Sequence, residues 1–248
     1  DNSKLAGMGD YYGNLGVLGA TVDGGYAELC LVPASHVFAV PDEMPLTNAA
    51  AFPTCFLTAH HALFATGDLK AGESVMVHAA GSGVSTAGIQ LAKKAGATVF
   101  ATAGTDEKCE RALGLGADYV CNNRTGDIVA WSREITQGVG VDIVFDNVGA
   151  ALFGPSLFSL RVHGRLINCG QASGDEAVIP SLGYLYHSGL TIKGSDPYRP
   201  EEFGPVWAEY CEGDFDVVID SEFALSNAAE AQDKMLASDF FGKIILTP

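Results

Sequence analysis

The stretch VMVHAAGSGVSTAGIQLAKKAGATVFAT, residues 75–102, places a glycine-rich turn between a β-strand and an α-helix. Gly81, Ser82 and Gly83 form the turn, and a second strand-like run follows at residues 98–102. Such a turn lets backbone approach a pyrophosphate, while the helix N-terminus offers unpaired N–H groups and a positive dipole end. The strand–turn–helix–strand order therefore predicts a phosphate-binding βαβ unit.

The turn departs from the G-x-G-x-x-G fingerprint at two positions. Ala80 stands at the first glycine and Ser85 at the third. Both residues are small enough for the helix to pack closely on the strand, and the Ser85 hydroxyl could donate to a phosphate. A plain packing turn in another kind of α/β protein is the alternative interpretation.

Strand-like and helical segments alternate on either side of this unit. The predicted strands lie at residues 75–78, 98–102, 119–121, 143–145, 166–169 and 190–193, and the predicted helices between them at 106–115, 128–136 and 153–160. Apolar strands separated by helices predict a parallel sheet covered on both faces. The expected fold class is α/β, with a doubly wound parallel Rossmann sheet at residues 46–195.

The two segments that flank the predicted sheet have different secondary-structure patterns. Residues 1–45 hold short β-like runs around the Asp23–Gly24–Gly25 turn, which predict hairpins of a barrel or sandwich. Residues 196–248 predict a helix at 200–211, a strand near 217–219, a helix at 225–236 and a strand at 243–246. This tail either extends the sheet or returns to the first segment.

Charge and cysteine usage narrow the function classes. Fourteen basic and thirty acidic residues give a formal net charge of −16, which disfavours nucleic acid and anionic membranes as partners. No apolar run is long enough to span a bilayer. The six cysteines form no C-x-x-C pair, which fits a reducing cytoplasm. The start at Asp1, with neither a Met nor a signal peptide, suggests the interior of a longer gene.

The residues after the second strand bear on the choice between NAD and NADP. An acidic residue there would bind the ribose hydroxyls, but the sequence has Ala103, Gly104 and Thr105, with Asp106 expected inside the next helix. A small, neutral pocket near Lys108 is better suited to a 2′-phosphate. On spacing alone, Lys108 fits a solvated helix position equally well. The sequence thus favours NADP, with NAD as the alternative.

Seven motifs in one order resemble the medium-chain dehydrogenase/reductase superfamily, in its branch of zinc-type alcohol dehydrogenases and quinone reductases. They are DGGYAE (23–28), FPTCFLTAHHALF (52–64), GSGVSTAGIQLAKKAGA (81–97), LGAD (115–118), GVDIVFDNVG (140–149), GRLINCG (164–170) and FGKIIL (241–246). The resemblance implies a Rossmann domain at residues 46–195 and a partial β-barrel-like catalytic domain. Residues 1–45 would be a remnant of that barrel, residues 196–248 would return to it, and about a hundred residues, the size of a small domain, would precede Asp1.

The resemblance also implies the residues that contact the cofactor. The phosphates would meet the turn and the adenosine would meet the end of the second strand, with contacts from Gly81, Ser82, Gly83, Val84, Ala103, Gly104, Thr105 and Lys108. Asn123, beside Arg124, stands where quinone reductase-like relatives often have a Tyr that holds the 2′-phosphate.

The ribose and nicotinamide would lie at two further strand ends and at one helix. The strand-end residues are Asn147, Val148, Gly149, Cys169, Gly170 and Gln171. Thr58, at the start of the helix that enters the Rossmann domain, would lie near the nicotinamide carboxamide. The sequence assigns no catalytic residue.

A catalytic zinc is left open, and no metal ligand is assigned. Zinc-using relatives take a third ligand at the position of Thr54, and Cys55 is one residue late. The other two ligands would lie before Asp1. The absence of Cys from residues 1–29 argues against a structural zinc loop. His60 and His61 are adjacent on a helix and point in different directions, so they cannot form a ligand pair.

The leading hypothesis is hydride transfer between NADPH and a carbonyl, a quinone or an activated alkene, with the loop at residues 180–188 as a possible part of the substrate pocket. The first alternative is a zinc-dependent alcohol dehydrogenase. The second, of a different class, is a non-catalytic NADPH-binding or redox-sensing protein. The expected partners are a small-molecule substrate and, from the resemblance, further copies of the chain in a dimer or tetramer.

Overall fold

The computed structural model describes residues 18, 19, 22–196, 200–213 and 215–248, so the part of the first predicted barrel segment at residues 1–17 lies outside it. Six parallel strands form the central sheet: β1 (Ser74–Val77), β2 (Thr98–Ala103), β3 (Tyr119–Asn122), β4 (Val141–Asp146), β5 (Leu160–Asn168) and β6 (Thr191–Gly194). The helices up to β6 are α1 (Leu46–His60), α2 (Gly83–Lys94), α3 (Asp106–Gly114), α4 (Ile128–Ile135), α5 (Phe153–Ser159) and α6 (Leu182–His187).

The strand order is β3-β2-β1-β4-β5-β6, and every neighbouring pair is parallel. The order reverses between β1 and β4, which is the switch point of a doubly wound Rossmann sheet. The predicted fold class is therefore confirmed. Ligands of such sheets bind in the crevice at the carboxyl ends of the strands, beside this switch point.

The sheet forms because its central strands are apolar on both faces. Successive side chains of a strand point to opposite faces, so Val75 and Val77 face one hydrophobic core while Met76 faces the other. All three are fully buried. A continuous apolar run is typical of a parallel strand covered on both sides, and this pattern is why the parallel sheet could be predicted from the sequence.

An aromatic cluster joins α1 to a helix of the tail, α7 (Phe203–Cys211). The rings of Phe52 and Tyr210 stack with centroids 4.5 Å apart, and Trp207 meets Phe52 edge-on at 5.2 Å. Each such pair adds about 1 kcal/mol beyond the area that it buries. The tail is thus packed firmly against the helix that precedes the sheet.

The tail continues with β7 (Ile219–Ala224), α8 (Ala228–Leu236) and β8 (Lys243–Thr247). β7 and β8 pair in parallel as a separate two-stranded sheet, so the tail does not extend the main sheet. The predicted helices and the last strand are confirmed, whereas the strand expected near 217–219 begins only at Ile219. The domain boundaries at residues 45 and 195 stay predictions.

The predicted hairpins of the first segment are wrong for the residues that the structure describes. Residues 22–45 contain one short 3-10 helix, Ala34–His36, and no strand, and Val22 makes only an isolated bridge to Leu18. Leu29 and Leu31 are 90% and 95% exposed. A β-like pattern forms a strand only where a partner strand completes its hydrogen bonds, and none of the described residues supplies that partner here. None of the helices described is long and apolar enough to cross a membrane.

Candidate functional site

The glycine turn joins the carboxyl end of β1 to α2. Ala79 adopts a left-handed conformation with φ 49°, which is strained for a residue with a Cβ. The Ala80 N–H donates to Thr102 O at 2.8 Å, which fixes the turn against β2. Ser82 is the N-cap of α2, and its side chain makes no capping hydrogen bond in the described structure. The first turn of α2 can therefore offer its N–H groups to an anion.

The turn is crowded on its outer side by the segment that leads into β8. The Gly242 N–H donates to Gly81 O at 2.8 Å. A Cβ built on Gly81 would lie 3.2 Å from Lys108 Cδ and 3.3 Å from Phe240 O. A side chain at position 81 would therefore press on the Lys108 stem and the Phe240 backbone, and the same contacts bring the tail to the phosphate-binding turn.

Ser85 does not have the role expected of it. Its side chain is fully buried, and its Oγ donates to His78 O at 2.6 Å. The same Oγ accepts a hydrogen bond from Asn147 Nδ2 at 2.9 Å. Donation from Ser85 to a phosphate was the wrong expectation, because the single hydroxyl proton is used by the strand carbonyl.

The predicted adenosine residues come together at the ends of β2 and β3. Asn123 donates its backbone N–H to Ala103 O at 2.8 Å. Thr105 is the N-cap of α3, and its Oγ1 accepts from the Lys108 N–H at 3.3 Å. Asp106 lies inside the helix, as expected. The end of β2 is therefore neutral, as the sequence predicts.

Arg124 is a candidate cofactor residue that the sequence singled out only as a neighbour of Asn123. Its guanidinium lies against Gly104, where a built Cβ would be 3.1 Å from Nε. The side chain is exposed, and within the described parts of the chain no ion pair engages it. The available signal was a basic residue two positions after the end of β3, at the strand ends where parallel sheets bind ligands.

Two lysines complete a basic rim around the turn. The ammonium of Lys108 donates to Ser238 O at 2.6 Å, and its stem covers Gly81. Lys243, at the start of β8, was not among the residues predicted from the sequence. Burial raises the pKa of the nearby Cys55 thiol, and the positive charge of Lys243 lowers that pKa in part. The signal for Lys243 was the Gly-Lys pair in FGKIIL, whose position relative to the turn needs the fold.

The loops after β4 and β5 also lie side by side. A Cβ built on Gly170 would be only 2.7 Å from Asn147 O. Oδ1 of Asp146 accepts from the N–H groups of Val148 and Gly149 at 2.8 and 3.0 Å, which shapes the first loop. Burial raises the pKa of the Cys169 thiol to about 12, with a further contribution from Asp146. Cys169 is therefore a neutral thiol at the crevice rather than a nucleophile.

Thr58 is the one predicted contact whose local setting differs from the expectation. It lies half-buried near the end of α1, whereas the expectation put it at the start of a helix. The helix begins earlier because Pro45 is its N-cap, whose carbonyl oxygen accepts from the N–H groups of Asn48 and Ala49, and the helix continues through Pro53. Its proximity to a nicotinamide carboxamide stays a prediction.

The residues considered for zinc do not form a metal site. Thr54 and Cys55 both lie inside α1; Thr54 is exposed, while Cys55 Sγ is buried, 2.8 Å from the place of a Cβ on Gly83. His61 Nδ1 contacts both carboxylate oxygens of Glu202, at 3.0 and 2.9 Å. Nowhere in the described ranges do three or more His, Cys, Asp or Glu side chains group as metal ligands. The described residues therefore form no complete zinc site by themselves.

Comparisons with known proteins agree with this geometry. The profile of the zinc-binding dehydrogenase family matches residues 83–212. The 2-haloacrylate reductase of a Burkholderia species is 32% identical over 91% of this chain and 71% of its own length. A phenolphthiocerol/phthiocerol polyketide synthase of Mycobacterium tuberculosis is 30% identical over 86% of this chain, which spans only 10% of that protein.

Solved structures support the same assignment. An NAD-dependent alcohol dehydrogenase superposes with a TM-score of 0.88 at 34% identity, covering 94% of this chain and 67% of that one. The Escherichia coli quinone oxidoreductase, solved with NADPH, has a TM-score of 0.82 at 28% identity, covering 90% and 72%. The chain therefore belongs to the zinc-binding dehydrogenase family, within the medium-chain dehydrogenase/reductase superfamily.

Proposed function

We propose that the chain binds NADPH along the carboxyl edge of its sheet and serves as the cofactor-binding part of an oxidoreductase. The observation that carries the proposal is the position of Arg124 over Gly104, at the end of a β2 strand with no acidic residue. An acid at this point would favour the ribose hydroxyls of NAD, whereas a guanidinium favours the 2′-phosphate of NADP.

The rest of the cofactor would follow the crevice. The pyrophosphate would meet the uncapped start of α2, where the Lys243 side chain lies against Gly83 and supplies positive charge. The nicotinamide ribose would lie between the paired loops that contain Asn147 and Gly170. These positive groups are local exceptions on a chain with a formal net charge of −16.

The cofactor, when bound, supplies the hydride, and the chain orients it. The loops after β4 and β5 would hold the nicotinamide end of the cofactor. The Cys169 thiol beside them is protonated and therefore places no negative charge next to the nicotinamide. The named reductase relatives support an activated alkene or a quinone as the hydride acceptor, with a carbonyl as the third candidate.

Cofactor titration and turnover assays on the full-length protein test this proposal. We expect NADPH to bind at least tenfold more tightly than NADH, and NADPH oxidation in the presence of 2-haloacrylate, a quinone or an aldehyde. Tight NADPH binding without turnover on any of the three would indicate a non-catalytic binding protein. Stoichiometric zinc whose removal abolishes turnover would indicate a zinc-dependent alcohol dehydrogenase instead. Equal affinity for both cofactors would contradict the NADPH preference.

We further propose a homo-oligomer in the cytoplasm. All four residues of β6 at the sheet edge, Thr191–Gly194, are exposed, and an open edge strand can pair with another chain. The six cysteines are free thiols, which suits a reducing compartment. Light scattering coupled to size exclusion tests the assembly: a mass equal to one chain at micromolar concentration would contradict it.

A further inference from the structure

We propose that Ser85 is a positioning residue that couples the phosphate-binding turn to the ribose–nicotinamide side of the site through Asn147. The inference rests on the proposed NADPH function and goes beyond it, because it gives Ser85 a role that the glycine of the usual fingerprint could not perform. The two residues lie 62 positions apart in the chain and belong to the two halves of the doubly wound sheet.

The hydrogen-bond directions around Ser85 follow from counting protons. The hydroxyl has one proton, which goes to His78 O at 2.6 Å. The Ser85 oxygen then has only lone pairs left, so it accepts from the Asn147 amide nitrogen at 2.9 Å. A carbonyl oxygen could not take the place of that nitrogen. Ser85 thus decides which way the Asn147 amide is turned.

The anchor at His78 is itself rigid. Ser156 Oγ donates to Leu152 O at 2.6 Å, so it accepts from His78 Nε2–H at 2.9 Å. His78 Nδ1 must then accept from the Thr102 hydroxyl at 2.8 Å. These bonds hold the end of β1 between β2 and α5. The carbonyl that receives the Ser85 proton is therefore fixed in place.

The orientation that Ser85 imposes leaves Asn147 Oδ1 as a lone acceptor. This atom is buried and has no hydrogen-bond partner among the residues described. Asn147 lies at the switch point, and its carbonyl contacts the loop that contains Gly170. A hydroxyl donor, such as the ribose of the nicotinamide half, would satisfy Oδ1. An amide turned the other way would offer a nitrogen there, which a hydroxyl could meet only as an acceptor, so the orientation of Asn147 sets the direction of this hydrogen bond.

The test compares the whole cofactor with its adenosine half. Ser85→Gly restores the fingerprint residue and Ser85→Ala removes only the hydroxyl; both are titrated with NADPH and with adenosine 2′,5′-bisphosphate, which lacks the nicotinamide ribose. We expect the Kd of NADPH to rise about fivefold to tenfold, while the Kd of the bisphosphate changes less than twofold. Ser132→Ala, which removes another buried helical hydroxyl on α4, is the matched control and should change neither value.

Asn147→Ala keeps the experiment decisive if the Ser85 variants fold poorly. It should produce the same selective loss with Ser85 intact, and the double variant should be no worse than either single variant. Equal loss for both ligands, or no loss at all, would overturn the positioning role. Wild-type protein that binds neither ligand would overturn the proposed NADPH site itself, so the two failures are distinguishable.

Discussion

Gly83 and Lys243 are in contact across the phosphate-binding turn, because a Cβ on Gly83 would lie 2.7 Å from Lys243 Cδ and 2.8 Å from Cys55 Sγ. The lysine stem is flexible, but the thiol is buried and has little room to move. We expect Gly83→Ala to destabilise the fold by about 1 to 3 kcal/mol through overpacking. Chemical denaturation measures this loss.

A second helical glycine provides the control. Gly114 ends α3 and has nothing within 4 Å of a built Cβ, so Gly114→Ala should be neutral or slightly stabilising. Adding Cys55→Ala to Gly83→Ala should recover part of the lost stability, because it removes the rigid neighbour. An equal change in the free energy of unfolding for the two glycine variants would show that the crowding at Gly83 does not affect stability.

The second prediction concerns the selectivity between the two cofactors. Arg124→Ala should raise the Kd of NADPH about tenfold and leave that of NADH within a factor of two, because a charge-assisted contact to the 2′-phosphate is worth roughly 1.5 kcal/mol at an exposed position. The preference should also weaken with rising salt. Isothermal titration gives both constants.

Lys70→Ala is the matched control for Arg124, since Lys70 is another exposed cation, paired with Asp68 before β1. It should change neither Kd. Equal weakening of NADPH and NADH by Arg124→Ala would mean that Arg124 supports the general shape of the pocket, and the assignment to the 2′-phosphate would then be wrong.

The contrast between Arg124 and the strands shows what could be predicted from the sequence. The strand at 98–102 was predicted within one residue of Thr98–Ala103. Its continuous run of apolar and small side chains is typical of a parallel strand that is buried on both faces. Neutral Ala103 and Gly104 were also found from their place after that strand. Such features depend on residues close together in the chain, where the pattern is visible.

The missed features depend on contacts between distant residues. Lys243 reaches Gly83 from 160 positions away only because the tail folds back over the turn. Ser85 was expected to face a phosphate because its partners, His78 O and Asn147, become neighbours only in the folded sheet. The start of α1 was misplaced because Pro45 and Pro53 both suggest a break, whereas the first caps the helix and the second is accommodated within it.

The third prediction is a pH dependence of stability centred on His78. Burial lowers the pKa of this fully enclosed imidazole to about 4, from 6.5 in the unfolded chain. The unfolded state therefore binds more protons between these values, and stability is lost as the pH falls from 6.5 towards 4. The loss should be roughly 3 kcal/mol, and it should be complete near pH 4.

His78→Gln tests the assignment, since an amide can donate to Ser156 and accept from Thr102 without titrating. The difference in unfolding free energy between pH 7 and pH 4.5 should shrink by about 2 kcal/mol in this variant. An unchanged difference would mean that the acid sensitivity arises from other groups. Asp146, whose pKa burial raises, would contribute with the opposite sign, because its protonated form is favoured in the fold.

The fourth prediction separates stability from cofactor binding. Arg133 lies in the last turn of α4, and its guanidinium joins α4 to the following loop, α5, α6 and the start of β5, at the amino ends of the strands and away from the cofactor crevice. Its hydrogen bonds go to the carbonyl oxygens of Gly138, Val139, Phe158 and Leu160 and to the Tyr184 hydroxyl.

Arg133→Met should lower the free energy of unfolding by about 2 to 4 kcal/mol, because several half-buried acceptors lose a charged donor at once. Arg133→Lys should recover only part of this, since an ammonium cannot reach acceptors on both sides of the planar fork. The Kd of NADPH should be unchanged in both variants under conditions where the protein is folded. A shifted Kd would mean that the amino ends of β4 and β5, near Arg133, are coupled to the crevice at the carboxyl ends of the same strands.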